Sequence, residues 1–337
     1  MAKRARKAKE KPPVETALEF INSVKSGNDE YCLFARLTGG EVVYNNRIIS
    51  AGHPIPLDFE TTFHIQKLLH AVKSAGNNTK TVIDNNQIKI ETGNKQYIVP
   101  VIGREFLAPV IPTEKMVDAD TRFTDALVKA ATVTREGDER VLCASVKING
   151  YTVAGTDGNA FFEAIHHAPI GAELVVPTVF VQMLKRVGGD ICGVGWNQNS
   201  ITVHYSNGSW LGSQCYVEGY EADFTTVQKH FDGATWQSIP DYFKDYIDDA
   251  KKFCTEGFVD IDGRTVAVYQ NNAKVFSVEL PHALLNNAVR LNLNYLHQAL
   301  QVSDKVADLG EHMIAFKGDG VRSVVMAVRR QVSAPVA

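Results

Sequence analysis

Pro177-Thr178-Val179-Phe180-Val181-Gln182-Met183-Leu184-Lys185-Arg186-Val187 carries apolar side chains at helical spacing and is stopped by Gly188-Gly189. Proline suits a first helical turn and glycine a C-terminal stop, so the stretch predicts a short amphipathic helix. Behind it come Gly193-Val194-Gly195-Trp196 and Ser200-Ile201-Thr202-Val203-His204-Tyr205, a turn at Asn207-Gly208, and Trp210-Leu211-Gly212-Ser213-Gln214-Cys215-Tyr216-Val217. Short runs bounded by Asn and Gly predict antiparallel strands. The unit is therefore a helix followed by a strand-turn-strand.

The same order recurs on both sides of it. Upstream, the run from Phe63 to Val72 is helical in spacing and stops at Ser74-Ala75-Gly76. Then follow Thr81-Val82-Ile83, a turn at Asp84-Asn85-Asn86, Ile88-Lys89-Ile90, a turn at Thr92-Gly93-Asn94, and Tyr97-Ile98-Val99. Downstream, the run from Leu291 to Leu300 predicts a helix, followed by Met313-Ile314-Ala315-Phe316, a turn at Lys317-Gly318-Asp319-Gly320, and Ser323-Val324-Val325-Met326-Ala327-Val328. Each copy opens with a further helix-like segment, at Ala17–Val24, Phe123–Ala130 and Asp241–Ile247. Three copies roughly 110 residues apart make an internal repeat. Pro, Gly and charged residues place boundaries near Val110–Asp120 and Asp232–Pro240. The division expected is a basic arm over 1–12, then domains over 13–115, 116–232 and 233–337. The fold class expected is α+β, each domain carrying two helices on antiparallel sheet.

A chain of 337 residues is too long for one ordinary core, which agrees with several domains. Its 45% hydrophobic and 22% charged residues are those of a globular protein, and no apolar run approaches a membrane span. Cys32, Cys143, Cys192, Cys215 and Cys254 are odd in number and scattered, with no C-x-x-C pair, which predicts reduced thiols in a cytoplasmic protein. The net charge of −3 is unevenly placed. Lys3, Arg4, Arg6, Lys7, Lys9 and Lys11 crowd the first eleven residues against Glu10 alone, leaving 29 basic and 37 acidic residues behind them. A disordered basic arm on an acidic body is expected either to approach a polyanion or merely to solubilise the chain.

No nucleotide-binding G-x-x-x-x-G-K-[ST] loop, G-x-G-x-x-G turn or G-x-S-x-G elbow occurs. His166-His167 are adjacent, so a strand would point them to opposite faces, and no H-x-x-x-H pairing supports a metal. Asp245, Asp248 and Asp249 are interleaved with Lys244, Lys251 and Lys252, the pattern of a solvated helix face. No catalytic residue, metal or cofactor is expected, and the chain reads as a non-enzyme.

The middle copy is the most specific. Thr152-Val153-Ala154-Gly155-Thr156-Asp157-Gly158-Asn159-Ala160-Phe161 resembles the V-A-T-D-G-H-R-L stretch in the second domain of bacterial DNA polymerase III beta sliding clamps. Ala168-Pro169-Ile170-Gly171 then leads to Leu174-Val175-Val176-Pro177 and the helix, in that family's order. Tyr216-Val217-Glu218-Gly219-Tyr220-Glu221-Ala222-Asp223-Phe224 is similar to its V-D-G-R-F-P-D-Y segment, and Ser323–Arg329 to its closing Y-V-V-M-P-M-R. The resemblance runs from about Val14 to Arg330 and rests mainly on element order in the first domain. It departs at Asn159-Ala160-Phe161 (for His-Arg-Leu), at Ala327-Val328 (for Pro-Met), in a short third domain, and in the added Gln331–Ala337. That drift is of a divergent member, with a phage origin left open.

The resemblance implies three tandem clamp domains closing head to tail as a homodimer ring, with helices lining a hole that admits double-stranded DNA. Sliding needs only weak, sequence-independent phosphate contacts, placed by the resemblance and by helix ends at Lys25, Lys129, Arg135, Arg140, Lys185, Arg186, Lys244, Lys251 and Lys252. Asp245, Asp248 and Asp249 oppose such contacts. The resemblance also implies an apolar pocket between the second and third domains for short linear peptides of a DNA polymerase and a clamp loader. Carried over residue by residue, it falls on Thr156, Gly158, Asn159, Ala160 and Phe161, on Leu142 and Cys143 of the preceding strand, and on Met326 and Val328 of the closing strand. Methionine suits such a surface because it repacks around varied ligands. The function implied is a cytoplasmic, nucleoid-associated processivity factor. The alternative is a clamp-fold adaptor or decoy that binds replication proteins without encircling DNA.

Overall fold

Three times in the chain a strand runs directly into a helix, and that junction organises the fold. The computed structural model describes residues 11–25, 30–76, 80–84, 86–103, 106, 108–109, 111–220, 224–285, 287–310 and 312–328. All of the expected basic arm except residues 11 and 12 lies outside them, as does the C-terminal stretch from Arg329.

The elements, in order, are α1 (Pro13–Val24), β1 (Phe34–Thr38), β2 (Glu41–Asn45), β3 (Ile49–Pro54), β4 (Thr61–His64), α2 (Ile65–Ala75), β5 (Lys80–Asp84), β6 (Gln87–Thr92) and β7 (Lys95–Pro100). The middle repeat supplies α3 (Thr121–Ala130), β8 (Ser145–Thr156), β9 (Ala160–Pro177), α4 (Thr178–Val187), β10 (Ile191–Asn197), β11 (Ser200–Tyr205) and β12 (Trp210–Gln214). After α5 (Thr225–Asp232) and β13 (Gln237–Ser238) the last repeat gives α6 (Asp241–Phe253), β14 (Phe258–Asp262), β15 (Thr265–Gln270), β16 (Ala273–Glu279), β17 (Val289–Asn292), α7 (Leu293–Gln301), β18 (Lys305–Asp308), β19 (Met313–Gly318) and β20 (Val321–Met326). The predicted helices at Phe63 and Leu291 thus begin two residues later, because their first residues belong to β4 and β17. Pro177 ends β9 and does not open α4.

The chain divides into two compact units, residues 1–121 with 179–215, and 122–178 with 216–337. The first contains a seven-stranded sheet in the order β10-β11-β12-β3-β2-β1-β4 and a three-stranded sheet β5-β6-β7. Ala17, Leu18, Ile21 and Val24 of α1 and Ile65, Leu68 and Val72 of α2 are buried, each set at three- and four-residue spacing. Gly52 lies under the Trp210 indole, whose Nε1 donates to Glu41 Oε1 at 2.6 Å; a Cβ at Gly52 would sit 2.2 Å from that nitrogen. Burial raises the pKa of Glu41, with the indole hydrogen bond opposing.

The second unit contains a six-stranded sheet β13-β18-β19-β20-β9-β8 and a four-stranded sheet β16-β15-β14-β17. Phe243, Ile247 and Ala250 of α6 and Leu293, Leu296, Ala299 and Leu300 of α7 share a core with Val259, Ile261, Val266 and Phe316. The Asn292 side chain caps α7 by accepting the N–H groups of Asn294 (2.9 Å) and Tyr295 (3.3 Å).

The repeat extends to registers. Ser50, closing the β2–β3 hairpin opposite Asn45, faces Gly212 of β12. Phe161, closing the β8–β9 hairpin opposite Thr156, faces Val324 of β20. Each repeat also returns its exit strand to the strand before its second helix: Ile102 N–H to Thr62 O (2.9 Å), Tyr216 N–H to Val175 O (2.9 Å), and Val328 N–H to Arg290 O (2.7 Å). Among the described residues no helix is long and apolar enough to cross a membrane.

Candidate functional site: the Thr156–Phe161 turn and the basic helix ends

The segment from Thr156 to Phe161 is a turn built around one carboxylate. Asp157, only 3% exposed, accepts the N–H groups of Asn159 (2.9 Å) and Ala160 (3.1 Å) on Oδ1. Thr156 Oγ1 donates to Ala160 O (2.7 Å) and accepts from the Gly158 N–H (3.0 Å). Gly158 has φ +88°, where a Cβ would be strained. The other oxygen of Asp157 accepts the Tyr295 phenol of α7 and, at 3.5 Å, the Arg135 guanidinium. Burial first, then the Asp157 hydrogen bond, raises the pKa of the phenol.

Strand alternation separates the next two side chains. Ala160 packs into the core that α6 and α7 share, with Phe162 and Val325. Phe161 points to the opposite face, where Ala154, Val324, Ala315 and Ala307 surround it. That face is covered by α5. Phe224 and Phe231 place their rings 4.8 and 6.4 Å from Phe161, and Trp236 stacks on Phe231 at 6.4 Å. Glu163, 2% exposed, accepts from Gln228 of α5 (2.5 Å) and from Arg322 (2.9 Å from Nε). The Arg322 guanidinium in turn lies 4.7 Å over the Phe231 ring.

The residues carried over for peptide binding therefore fall in two classes. Thr156, Gly158, Asn159, Ala160, Phe161 and Met326 meet at one end of β8, β9 and β20, where the Met326 N–H donates to Asn159 O (2.9 Å). Gly158, Asn159, Met326 and Val328 are exposed, whereas Thr156, Ala160, Phe161 and Cys143 are buried. Leu142 and Cys143 do not lie on a strand, a correction to the expectation. They occupy a turn before β8, because the Arg135 N–H to Cys143 O bond (2.7 Å) closes residues 135–143 into a loop. Burial raises the pKa of the Cys143 thiol. Sequence reading missed α5, although Phe224, Val227 and Phe231 recur at zero, three and seven, a helical spacing. A cavity of about 450 Å³ lies elsewhere, in the first unit, lined in part by Phe20, Val187, Asp190 and Tyr205.

The basic residues also divide. Arg140 grips Asp138 (3.1 Å), and Lys252 pairs with Asp249 (2.7 Å). Lys251 donates to Thr255 O (2.7 Å) and to Asn294, Arg186 to Ser23 O (3.3 Å), and Arg135 to Asp157 and Tyr295. The side chains of Lys25, Lys129, Lys185 and Lys244 make no hydrogen bond or ion pair with another described residue. Of the acidic residues beside Lys244, Asp248 meets His297 at 3.1 Å.

No protein-family model matches the chain, and no curated protein matches it in sequence. Solved structures do. The chain is similar to the DNA polymerase III subunit beta of Pseudomonas aeruginosa at TM-score 0.76 and 14% identity, over 94% of this chain and 98% of that one. It is similar to the DNA polymerase sliding clamp of Caulobacter crescentus at TM-score 0.73 and 14% identity, over 94% and 97%. It is also similar to the Helicobacter pylori beta clamp bound to DNA ligase peptide, at TM-score 0.71 and 12% identity, over 94% and 97%. The chain has the α+β fold of the DNA polymerase III beta sliding clamps.

Proposed function

We propose that the protein is a non-enzymatic sliding clamp: a three-domain subunit (13–115, 116–232, 233–337) that pairs head to tail with a second copy and encircles double-stranded DNA. One observation carries this reading. The hairpin strands β3 and β9 each accept the closing strand of the next repeat, β12 and β20, while among the described residues β16 and the closing strand β7 each lie at the edge of their sheet. Exposed strand edges invite pairing. Among the edge strands, β7 and β16 are the pair a second copy would join by the register of the repeat. Ile98 holds in β7 the place of Val324 in β20, each three residues beyond its hairpin pair, Thr92 with Lys95 and Gly318 with Val321. Ala273 closes the β15–β16 hairpin as Phe161 closes β8–β9. Ile98 of one copy then opposes Ala273 of the next. Ile98 is 51% and Val275 of β16 43% exposed, apolar surface that such pairing would cover.

Peptides of a DNA polymerase and a clamp loader are proposed to bind at the rim formed by Gly158, Asn159, Met326 and Val328, with Phe161 and α5 behind it. The ligase peptide on the Helicobacter pylori clamp supports this use of the fold. Lys25, Lys129, Lys185 and Lys244 carry the phosphate contacts, assisted by the basic arm and by Arg135 on the 135–143 loop, whose side chain is 65% exposed. A cytoplasmic, nucleoid-associated location and a phage origin belong to the same reading.

The test is cross-linking. Ile98→Cys with Ala273→Cys is expected to give a covalent dimer on mild oxidation, because opposed strand residues fall within disulfide reach. Oxidised after assembly on DNA, the cross-linked dimer should stay on closed circular DNA and run off linear DNA. A monomer that never cross-links, at any concentration, overturns the ring. The adaptor reading keeps one observation of its own: Asp245, Asp248 and Asp249 sit on the same helix as Lys244. Peptide binding without retention on circular DNA would establish it.

A further inference from the structure

The turn proposed to bind peptides and the loop proposed to face DNA share one buried carboxylate. Asp157 Oδ1 is committed to the N–H groups of Asn159 and Ala160, and Oδ2 to Tyr295 and Arg135. The two donors on Oδ2 differ in kind. The Tyr295 phenol sits on α7 and donates to it directly. The Arg135 contact is long, 3.5 Å to Asp157 and 3.3 Å to the Tyr295 oxygen, and its side chain is 65% exposed. A guanidinium held this loosely exchanges partners readily, because a 3.5 Å contact is at the limit of hydrogen-bond geometry. Its neighbour Arg140 is not free to substitute, being engaged by both carboxylate oxygens of Asp138.

We propose that Arg135 is a positioning residue that couples phosphate contact at the 135–143 loop to the conformation of the Thr156–Ala160 turn, through Asp157 and Tyr295. A phosphate drawn to the exposed face of Arg135 competes with Asp157 Oδ2. The carboxylate then keeps Tyr295 and the two turn amides but loses the guanidinium in contact with it. At 2% side-chain exposure, water does not make up the loss. The turn is held less tightly, and the rim at Gly158 and Asn159 changes with it. DNA on the loop thereby alters the peptide site without touching it. The inference rests on the reading of this loop as DNA-facing and this turn as peptide-binding.

The experiment is amide hydrogen exchange at Asn159 and Ala160, in the full chain at low salt, with and without a short random-sequence duplex whose binding is followed by anisotropy. In the wild type the duplex is expected to speed exchange at these two amides by about threefold, the order of one exposed ion pair. Arg135→Gln should exchange faster from the start and show no response to the duplex. Tyr295→Phe should respond more strongly, since Arg135 is then the only side-chain donor left on Oδ2. A merely structural Arg135 would shift the baseline and leave the duplex response intact. Bound duplex with unchanged exchange in the wild type overturns the coupling alone. No duplex binding overturns the DNA-facing reading of the loop, and the coupling with it.

Discussion

Replacing either partner of the Glu163–Arg322 pair should destabilise the second unit, and by unequal amounts. Glu163 is 2% exposed in its side chain and Arg322 32%. Arg322→Met leaves a carboxylate with Gln228 as its remaining side-chain donor, beneath α5 and away from water. An uncompensated buried charge of this kind costs about 3–5 kcal/mol. The lost cation–π contact over Phe231 adds about 0.5–1 kcal/mol. Glu163→Gln leaves a guanidinium that is one-third exposed, can turn to water and can still donate to the new amide oxygen. Its loss is that of a charge-assisted hydrogen bond, about 1.5–3 kcal/mol at most. The double variant should fall well short of the sum, since neither partner is then left as a lone charge. Urea unfolding gives the four free energies, and hydrogen exchange across β9 and β20 locates the effect. A Glu163→Gln loss equal to or larger than that of Arg322→Met would refute the reasoning, because it would place the exposed partner, and not the buried one, in control.

Gly52→Ala should destabilise the first unit by about 2–4 kcal/mol, since its Cβ would displace the Trp210 indole and break the hydrogen bond to Glu41; an unchanged Tm would contradict the packing. His166, fully buried with its ring 5.1 Å from Phe123, has its pKa lowered to about 4 by burial. The unfolded chain takes up its proton near pH 6.5 and the folded chain only near 4. Stability should therefore fall by about 3 kcal/mol as pH drops through that window. His166→Phe should remove this component from the urea midpoints measured between pH 7.5 and 4, and identical profiles would exclude it. Charge reversal at Lys25, Lys129, Lys185 or Lys244 should each lower the salt slope of duplex binding by about one. Arg140→Ala and Lys252→Ala should leave it nearly unchanged, because Asp138 and Asp249 already engage those charges.

Amphipathic spacing made the six repeat helices legible, and Asn-Gly and Gly-Asp turns made the meanders legible. Both signals are local: a period of 3.6, a period of two, and the φ > 0 residues that turns require. The start of α2 was misplaced by two residues because β4 runs into it without a break, so strand and helix share one apolar run. The helix α5 went unseen for the opposite reason. Its eight residues carry only Val227 and Phe231 as apolar contacts, and Phe224 lies just outside it. The helix is held by what it covers.

The sequence alone determined the repeat, its helix-and-meander content, the α+β class and the stretch from Thr152 to Phe161 that resembles the clamps. Those follow from propensity and pattern, which act over a few residues at a time. Tertiary structure alone decided that Ala160 and Phe161 serve opposite faces, that Glu163 is a buried ion, and that Asp157 ties its turn to a tyrosine 138 residues away. It also decided which lysines keep their charges unpaired. Those outcomes depend on which strands become neighbours and what covers each face, and burial and charge pairing are set only when distant segments meet.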